Sequence, residues 1–237
     1  SPKIVAPSVR DLGELARILA DWLGQRLPDP SGMAVTNLSY PLGAGMSHET
    51  ILFDASWRED GAERGQGMVV RIKPTKSVVY PDDMFDQQYR LIQLMHDAGE
   101  VRVAKPLWFE ADAAVLGAPF FVMEKVSGRV AVTFPPYSRE GWLVDVAPAD
   151  RRRMWEDAVG QLAAIQRVPV SAAPFLELPG GPGLFDQEVD RWRRYMAWVD
   201  PAGERGLLRD TFERLLAAGP ANKVDGIVWG DSRLGNM

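Results

Sequence analysis

Residues 228–236 read Val-Trp-Gly-Asp-Ser-Arg-Leu-Gly-Asn, which places an aspartate and an asparagine in D-x-x-x-x-N spacing behind a short apolar strand. This spacing suits a catalytic loop for phosphoryl transfer. In such a loop Asp231 orients and deprotonates an attacking hydroxyl, and Asn236, brought back by the turn, holds a magnesium ion. Arg233 lies between them and can neutralise a phosphate or an acidic substrate. The same pattern also occurs as a simple surface turn, so its weight depends on the features upstream.

The periodicity of apolar residues divides the chain into a half rich in strands and a half rich in helices. Strands are predicted over 35–40, 50–57, 66–73, 107–111, 114–116 and 119–126, and helices over 8–27, 82–98, 150–166, 186–199 and 204–218. Glycine-rich turns between the first three strands favour antiparallel pairing. The pattern changes near residues 126–135, which predicts a boundary there.

A glycine-rich segment separates the first two predicted strands and contains Gly43, Gly45 and Ser47. Glycines let the backbone approach phosphate oxygens closely, and free N–H groups together with a hydroxyl can bind an anion. The segment lacks the Gly-Lys-Ser/Thr of a Walker A loop. An ordinary hairpin turn is the alternative interpretation.

The predicted strand 66–73 carries two cations on one face. Alternation places Val69, Arg71 and Lys73 on the face opposite Met68, Val70 and Ile72. Cations on an otherwise apolar strand require an anionic partner or solvent. A bound phosphate and a solvated edge strand are the two interpretations of this pattern.

Together, the D-x-x-x-x-N loop, the glycine-rich segment, the strand cations and the apolar stretch at 119–128 resemble the aminoglycoside phosphotransferase-like kinases, a branch of the protein-kinase-like fold. That family usually has His-Gly-Asp where this chain has Trp229-Gly230-Asp231. The variant resembles the branch of kinase domains fused to acyl-CoA dehydrogenases. The resemblance extends from about Leu38 to the end of the chain. It implies an α+β fold with an antiparallel-sheet N-lobe over 1–127, which includes an N-terminal helix, followed by a partial helical C-lobe over 128–237.

The resemblance also implies ATP and Mg²⁺ as cofactors. The glycine-rich segment would cover the triphosphate, and Arg71, with Lys73 as second choice, would grip the α and β phosphates. The resemblance further implies that the adenine ring lies against Met123, with its edge at the backbone between Glu124 and Val126. Without the family, that stretch reads as a buried strand entering a turn.

Two departures from the family bear on activity. Gln88 occupies the position of a glutamate that pairs with the strand cation in protein kinases. The second acidic metal ligand of the family is expected about twenty residues after Asn236, so this chain alone is predicted to be inactive. A nucleotide-binding pseudokinase or regulatory domain is therefore the alternative function.

Composition excludes several other classes. The net charge is −5 and the pI is about 5.2, which argues against general attraction to nucleic acid or anionic lipid. The absence of cysteine excludes disulfides and thiolate chemistry. No apolar run is long enough to cross a membrane, so a cytoplasmic enzyme is the expectation. Glu49 occupies the second glycine position of a G-x-S-x-G elbow, which excludes an α/β-hydrolase.

The expected acceptor is a hydroxyl group of a small molecule: an aminoglycoside-like sugar, a hydroxyacyl thioester or another metabolite. Acidic side chains in the predicted helix 186–199 and near it would suit a cationic acceptor. The same helix carries Trp192, Tyr195 and Trp198 at helical spacing, which favours packing in the core over a substrate pocket.

Overall fold

We describe a computed structural model of the chain over residues 10–236, except 28–29, 42–47, 76–79, 83, 133–134 and 220–223. The strands are β1 (Ser31–Ser39), β2 (Glu49–Glu59), β3 (Ala62–Ile72), β4 (Pro106–Glu110) and β5 (Phe120–Glu124). The α-helices are α1 (Leu12–Gly24), α2 (Phe85–Ala98), α3 (Ala113–Leu116), α4 (Pro148–Arg167), α5 (Leu184–Val199) and α6 (Gly206–Ala217). Short 3-10 turns cover Val170–Ala172, Pro174–Leu176 and Leu234–Asn236.

The five strands form one antiparallel sheet in the order β1-β2-β3-β5-β4. The predicted alternation on β3 is confirmed, because Met68, Val70 and Ile72 are fully buried on one face. Arg71 lies on the other face and is partly buried. β3 pairs with strands on both sides, so the interpretation of Arg71 as an edge-strand cation is wrong.

The larger hydrophobic core lies between the sheet and α1. Asp11 caps α1 by accepting hydrogen bonds from the N–H groups of Gly13 and Glu14 at 2.8 and 3.1 Å. Apolar residues at helical spacing then bury one face of α1 in a core that it shares with β1, β2, β3 and β5. The opposite face of the sheet carries α2 through the rings of Phe85 and Tyr89, which contact Phe121 at 5.2 and 5.5 Å.

One predicted strand is a helix. The segment 114–116, predicted as a strand, forms the single turn α3. Asp112 accepts from the N–H of Ala114 at 2.8 Å, and Gly117 ends the turn with φ +82°. Three residues are too few to show a strand period, so the flanking cap residues decide the local structure.

A second core joins the N-terminal sheet region to the helices. It brings together the end of α2, the end of α4 and the segment that precedes the predicted catalytic loop; its buried members are Met95, Val101, Ala164, Ile165, Val168, Ala173 and Ile227. Polar contacts reinforce it, since the N–H of Arg102 donates to Gln161 Oε1 at 2.7 Å. Trp229 packs against the same core, two residues before Asp231.

The aromatic residues of α5 were predicted to pack in the core, but the structure does not place them there. Trp192 and Trp198 are 41% and 45% exposed, and Tyr195 stacks between them and Tyr80. Arg194 of α5 forms an ion pair with Asp82 at 3.1 Å. These contacts place α5 against the segment that enters α2.

In the part of the chain that the structure describes, no helix combines the length and the apolar character that crossing a membrane requires.

Candidate active site

The three predicted catalytic-loop side chains lie together. The amide of Asn236 donates to Oδ2 of Asp231 at 2.8 Å and to the backbone carbonyl of Asp231 at 2.9 Å. Nε of Arg233 lies 3.3 Å from the same Oδ2. The 3-10 turn brings Asn236 back toward Asp231, as the spacing predicts. The Asp231 side chain is 71% exposed, so a substrate hydroxyl can reach its carboxylate.

The loop is anchored to the segment that follows β5. A Cβ built on Gly235 would lie 2.7 Å from the carbonyl oxygen of Ala131, a buried residue. The absence of a side chain at 235 therefore permits the turn to pack against residues 130–132. On its other side, the loop follows Trp229 and Ile227 of the second core. The loop that carries Asp231 therefore lies between the segment that follows β5 and the second core, to which the ends of α2 and α4 contribute.

Arg71 is a partly buried cation near the end of β3. Its Nη2 lies 3.2 Å from Nδ1 of His48, and its guanidinium carbon is 5.9 Å from the centroid of Phe121. Arginine only donates hydrogen bonds, so Nδ1 of His48 is the acceptor in this contact. The Nε atom of Arg71 is buried without a hydrogen-bond partner among the described residues. Burial lowers the pKa of Arg71 from its ordinary value.

No described carboxylate forms an ion pair with Arg71. Leaving a guanidinium partly desolvated without a counter-charge is costly, and an anion at this position would offset that cost. Lys73, the second candidate, follows β3 and is partly buried, and its backbone N–H donates to Pro119 at 3.0 Å. Gly43, Gly45 and Ser47 lie outside the described residues.

The backbone at the end of β5 is largely committed to the fold. The N–H of Glu124 donates to the carbonyl of Lys105, and the N–H of Lys125 donates to the carbonyl of Gly67, both at 2.9 Å. The N–H of Val126 makes no hydrogen bond within the described part of the chain, and Val126 is 70% exposed. Of the three predicted base-contacting N–H groups, that of Val126 is therefore the one available. Met123 is paired with Val69 and lies on the face of the sheet that carries Arg71.

Sequence reasoning missed two partners at this site. The sequence pattern did not indicate that His48 would lie against the guanidinium of Arg71. Lys125 was given no role, although it lies between Glu124 and Val126, which were predicted to contact the base. Its ammonium forms an ion pair with Asp54 on β2. A charged residue at the end of an otherwise apolar strand was the available signal for Lys125. No sequence signal links Asp54 or His48 to their partners, because these contacts cross between strands.

Gln88 lies on α2 with its Oε1 buried and without a hydrogen-bond partner among the described residues. An amide at this position brings no negative charge toward the sheet. The departure noted from the sequence therefore leaves a polar atom unsatisfied in the interior.

Oxygen donors for a magnesium ion are present at the loop. Asp231 and Asn236 supply carboxylate and amide oxygens, which suit Mg²⁺ when nucleotide phosphates complete its coordination. Within the described ranges no three His, Cys, Asp or Glu side chains form a metal-binding group. The residues present therefore fit a magnesium ion to which phosphate oxygens also bind.

Two of the three acidic residues of α5 form ion pairs with arginines of the same helix. Glu188 pairs with Arg191 at 2.5 Å, and Asp190 pairs with Arg193 at 3.4 Å. A cavity of about 430 Å³ lies between α5 and α6, and none of the predicted site residues lines it. Glu188 and Asp190 are therefore engaged within α5, and none of the acidic residues predicted to suit a cationic acceptor lines this cavity.

Comparison with known proteins agrees with the fold. The chain is 26% identical over 230 residues to acyl-CoA dehydrogenase family member 11 of Gallus gallus, an alignment that covers 96% of this chain and 27% of that protein. The human protein of the same name is 25% identical over 231 residues, covering 92% of this chain and 28% of its own length. The chain thus spans about a quarter of the length of these relatives.

Two solved structures share the architecture. A protein of Ralstonia eutropha, whose proposed activity is that of an aminoglycoside phosphotransferase, superposes with a TM-score of 0.59 at 26% identity, over 93% of this chain and 59% of that one. The GDP complex of an aminoglycoside 2'-phosphotransferase-IIIa mutant superposes with a TM-score of 0.51 at 18% identity, over 90% of this chain and 63% of that one. The predicted protein-kinase-like α+β fold is confirmed.

The model of one family, described as "Phosphotransferase enzyme family", matches residues 48–237. The matched region includes both Arg71 and the Asp231–Asn236 loop. The chain therefore belongs to the phosphotransferase enzyme family.

Proposed function

We propose that the chain is the ATP-binding and catalytic-loop part of a phosphotransferase that moves the γ-phosphate of ATP to a hydroxyl group of a small molecule. Membership of the phosphotransferase family supports phosphoryl transfer in general. ATP, Mg²⁺ and an alcohol acceptor are the finer elements of the proposal. The N-lobe is proposed to extend over 1–127 and the C-lobe over 128–237.

The observation that carries the proposal is the guanidinium of Arg71, which is partly buried and whose Nε lies out of contact with solvent. It contacts the imidazole of His48, its Nε has no hydrogen-bond partner among the described residues, and no described carboxylate pairs with it. A phosphate group would supply both the missing charge and the missing hydrogen-bond acceptor. Arginine suits this role because its planar fork of donors can bind two oxygens at once.

The loop residues have complementary roles. Asp231 would orient the acceptor hydroxyl and remove its proton, since its carboxylate is exposed and hydrogen-bonded on one oxygen. Asn236 and the phosphates would hold Mg²⁺, which supplies charge stabilisation to the transferring phosphoryl group when bound. Arg233 would sit beside the phosphate or an acidic group of the acceptor.

Nucleotide calorimetry tests this assignment. ATP with Mg²⁺ should bind the wild-type chain, and Arg71→Ala should weaken binding about ten- to a hundredfold, the effect of removing a charge-assisted hydrogen bond. Arg64→Ala, on the exposed end of the same strand, is the matched control and should bind ATP like the wild type. Unchanged ATP affinity in Arg71→Ala would refute the phosphate assignment.

A nucleotide-binding domain without turnover is the second candidate. Gln88 favours it, because its amide replaces the acidic partner of the strand cation and its Oε1 is left unsatisfied. ATP binding without phosphoryl transfer in a protein that includes the rest of the domain would support this candidate over the first.

A further inference from the structure

A polar cluster, here called the hinge clamp, joins the segment after β5 to three strands of the sheet. The ammonium of Lys125 forms an ion pair with Oδ1 of Asp54 on β2. The other oxygen of Asp54 accepts from the amide of Asn37 on β1 at 2.9 Å. The backbone N–H of Lys125 donates to the carbonyl of Gly67 on β3 at 2.9 Å.

The path of the Lys125 side chain depends on Gly67. A Cβ built on Gly67 would lie 2.6 Å from Cε of Lys125 and 3.2 Å from its Cβ. The lysine therefore crosses β3 at a glycine, where no side chain blocks its path. Lys125 and Asp54 are 30% and 38% exposed, so the clamp is partly screened by water.

The hinge clamp lies on the same face of the sheet as Arg71. Residues directly opposite one another in an antiparallel pair project from the same face. Asp54 is opposite Gly67, two residues before Val69, which is opposite Met123. Arg71 follows two residues later, so Gly67 and Arg71 are separated by about 14 Å at about 3.4 Å per residue.

This face therefore has three zones in sequence. Arg71 supplies positive charge at one end, the partly buried Met123 beside the buried Val69 supplies apolar surface in the middle, and the hinge clamp closes the other end. An extended nucleoside triphosphate has the same polarity, with its phosphates at one end and its base at the other. Beside the clamp lies the N–H of Val126, which has no partner among the described residues.

We propose that Lys125 is a positioning residue for the nucleobase. The hinge clamp holds the peptide after β5 against β3, and this keeps the Val126 N–H aimed at the base edge. The inference rests on the proposed ATP-binding function and extends it. Lys125 acts through the backbone that it holds and makes no contact with the phosphates.

Binding of two probes separates this role from a general structural one. ATP requires both ends of the face, whereas inorganic tripolyphosphate requires the Arg71 end alone. We expect Lys125→Met to weaken ATP binding about three- to fivefold, which corresponds to a partly exposed ion pair, and to leave tripolyphosphate binding unchanged. Arg71→Ala should weaken the binding of both probes, which shows that the measurement detects loss of the phosphate contact with either one.

The matched control is Lys105→Met. It removes the same charge from a neighbouring exposed side chain that has no ion pair or side-chain hydrogen bond in the described ranges, and it should leave both affinities unchanged. Asp54→Asn keeps the shape of its side chain and should reproduce the Lys125→Met result, which preserves the test if that variant does not fold. The double variant with Lys125→Met and Asp54→Asn should bind ATP no more weakly than either single variant, because both substitutions remove the same contact.

The inference is overturned if folded Lys125→Met or Asp54→Asn binds ATP like the wild type. It is also overturned if the variant loses affinity for ATP and for tripolyphosphate by the same factor. If the wild type binds ATP and the variants give either of these results, the role of the hinge clamp is refuted while the proposed ATP-binding function stands. Wild-type protein that binds neither probe would refute the proposed function and this inference with it.

Discussion

The side-chain amide of Asn236 lies 2.8 Å from Oδ2 of Asp231, five residues earlier in the chain. A second bond from the same nitrogen to the carbonyl of Asp231 closes the loop on itself. The two side chains that the proposed chemistry requires are therefore oriented by one another before any ligand binds. Such preorganisation reduces the entropy lost when a substrate engages the site.

The role of Asn236 in metal binding predicts a change in the magnesium dependence of nucleotide affinity. Asn236→Ala removes an oxygen donor and the amide that orients Asp231. We expect the gain in ATP affinity caused by Mg²⁺ to fall about tenfold or more, the size of effect typical of groups that orient metal ligands. Affinity for ATP in excess EDTA should stay unchanged. Calorimetry with and without Mg²⁺ measures both, and an equal loss under both conditions would contradict the metal assignment.

Packing of the loop on Ala131 predicts a steric effect at Gly235. The added methyl group of Gly235→Ala would lie 2.7 Å from a backbone oxygen, so the turn must shift. We expect a loss of about 1–3 kcal/mol in the free energy of unfolding, measured by urea denaturation. Gly230→Ala is the control, since nothing lies within 4 Å of its Cβ and its φ is not positive. Equal stability of the two variants would show that the loop does not pack as described.

The link between α1 and β4 predicts a specific pH dependence. A hydrogen bond from Trp22 at 2.9 Å, the backbone N–H of Asp112 and the charge of Arg26 together hold the pKa of Glu110 below its ordinary value. A depressed native pKa means that this stabilisation is fully present above about pH 4.3, the unfolded value, and is lost as the pH falls through the native pKa.

Glu110→Gln should therefore lower the free energy of unfolding at pH 7 by about 1–3 kcal/mol, because it removes charged hydrogen bonds of a largely buried carboxylate. The difference from the wild type should shrink on going to pH 3. Urea unfolding at both pH values checks this, with Glu63→Gln as the control, since its carboxylate is 85% exposed and 3.7 Å from Arg58. A difference that is constant with pH would argue against ionisation as its cause.

The unsatisfied amide of Gln88 predicts a stabilising substitution. Gln88→Met keeps the length of the side chain and removes a buried acceptor without a described partner. We expect the free energy of unfolding to rise by about 1 kcal/mol, because the desolvation cost of the unpaired oxygen disappears. Gln87→Met, one residue earlier on α2, carries the same change without a buried unpaired oxygen and should not gain stability. A loss of stability in Gln88→Met would indicate that its oxygen has a partner.

Local pattern was sufficient for most elements of the fold. The alternation of β3 correctly assigned Met68, Val70 and Ile72 to the core and Arg71 to the opposite face. It succeeded because a strand with one buried face must repeat every two residues. The short segment 114–116 was predicted wrongly because a single turn has no measurable period, and its caps, Asp112 and Gly117, decide its structure.

The sequence predicted only part of the candidate site. Asp231 and Asn236 are close in sequence, so their turn could be predicted from spacing. Their magnesium role stays a prediction, as does the assignment of phosphate to Arg71. The exposed aromatic residues of α5 were expected in the core, because helical spacing identifies a face without showing what lies against it.

By itself, the sequence determined where most strands and helices form and that an aspartate and an asparagine share one turn, because these depend on neighbours within a few residues. Only the tertiary structure decided that β3 lies between β2 and β5, that Arg71 is desolvated beside His48, and that Lys125 reaches Asp54 across Gly67. Those relationships depend on which strands become adjacent, and adjacency follows from burial of the whole sheet rather than from any local pattern.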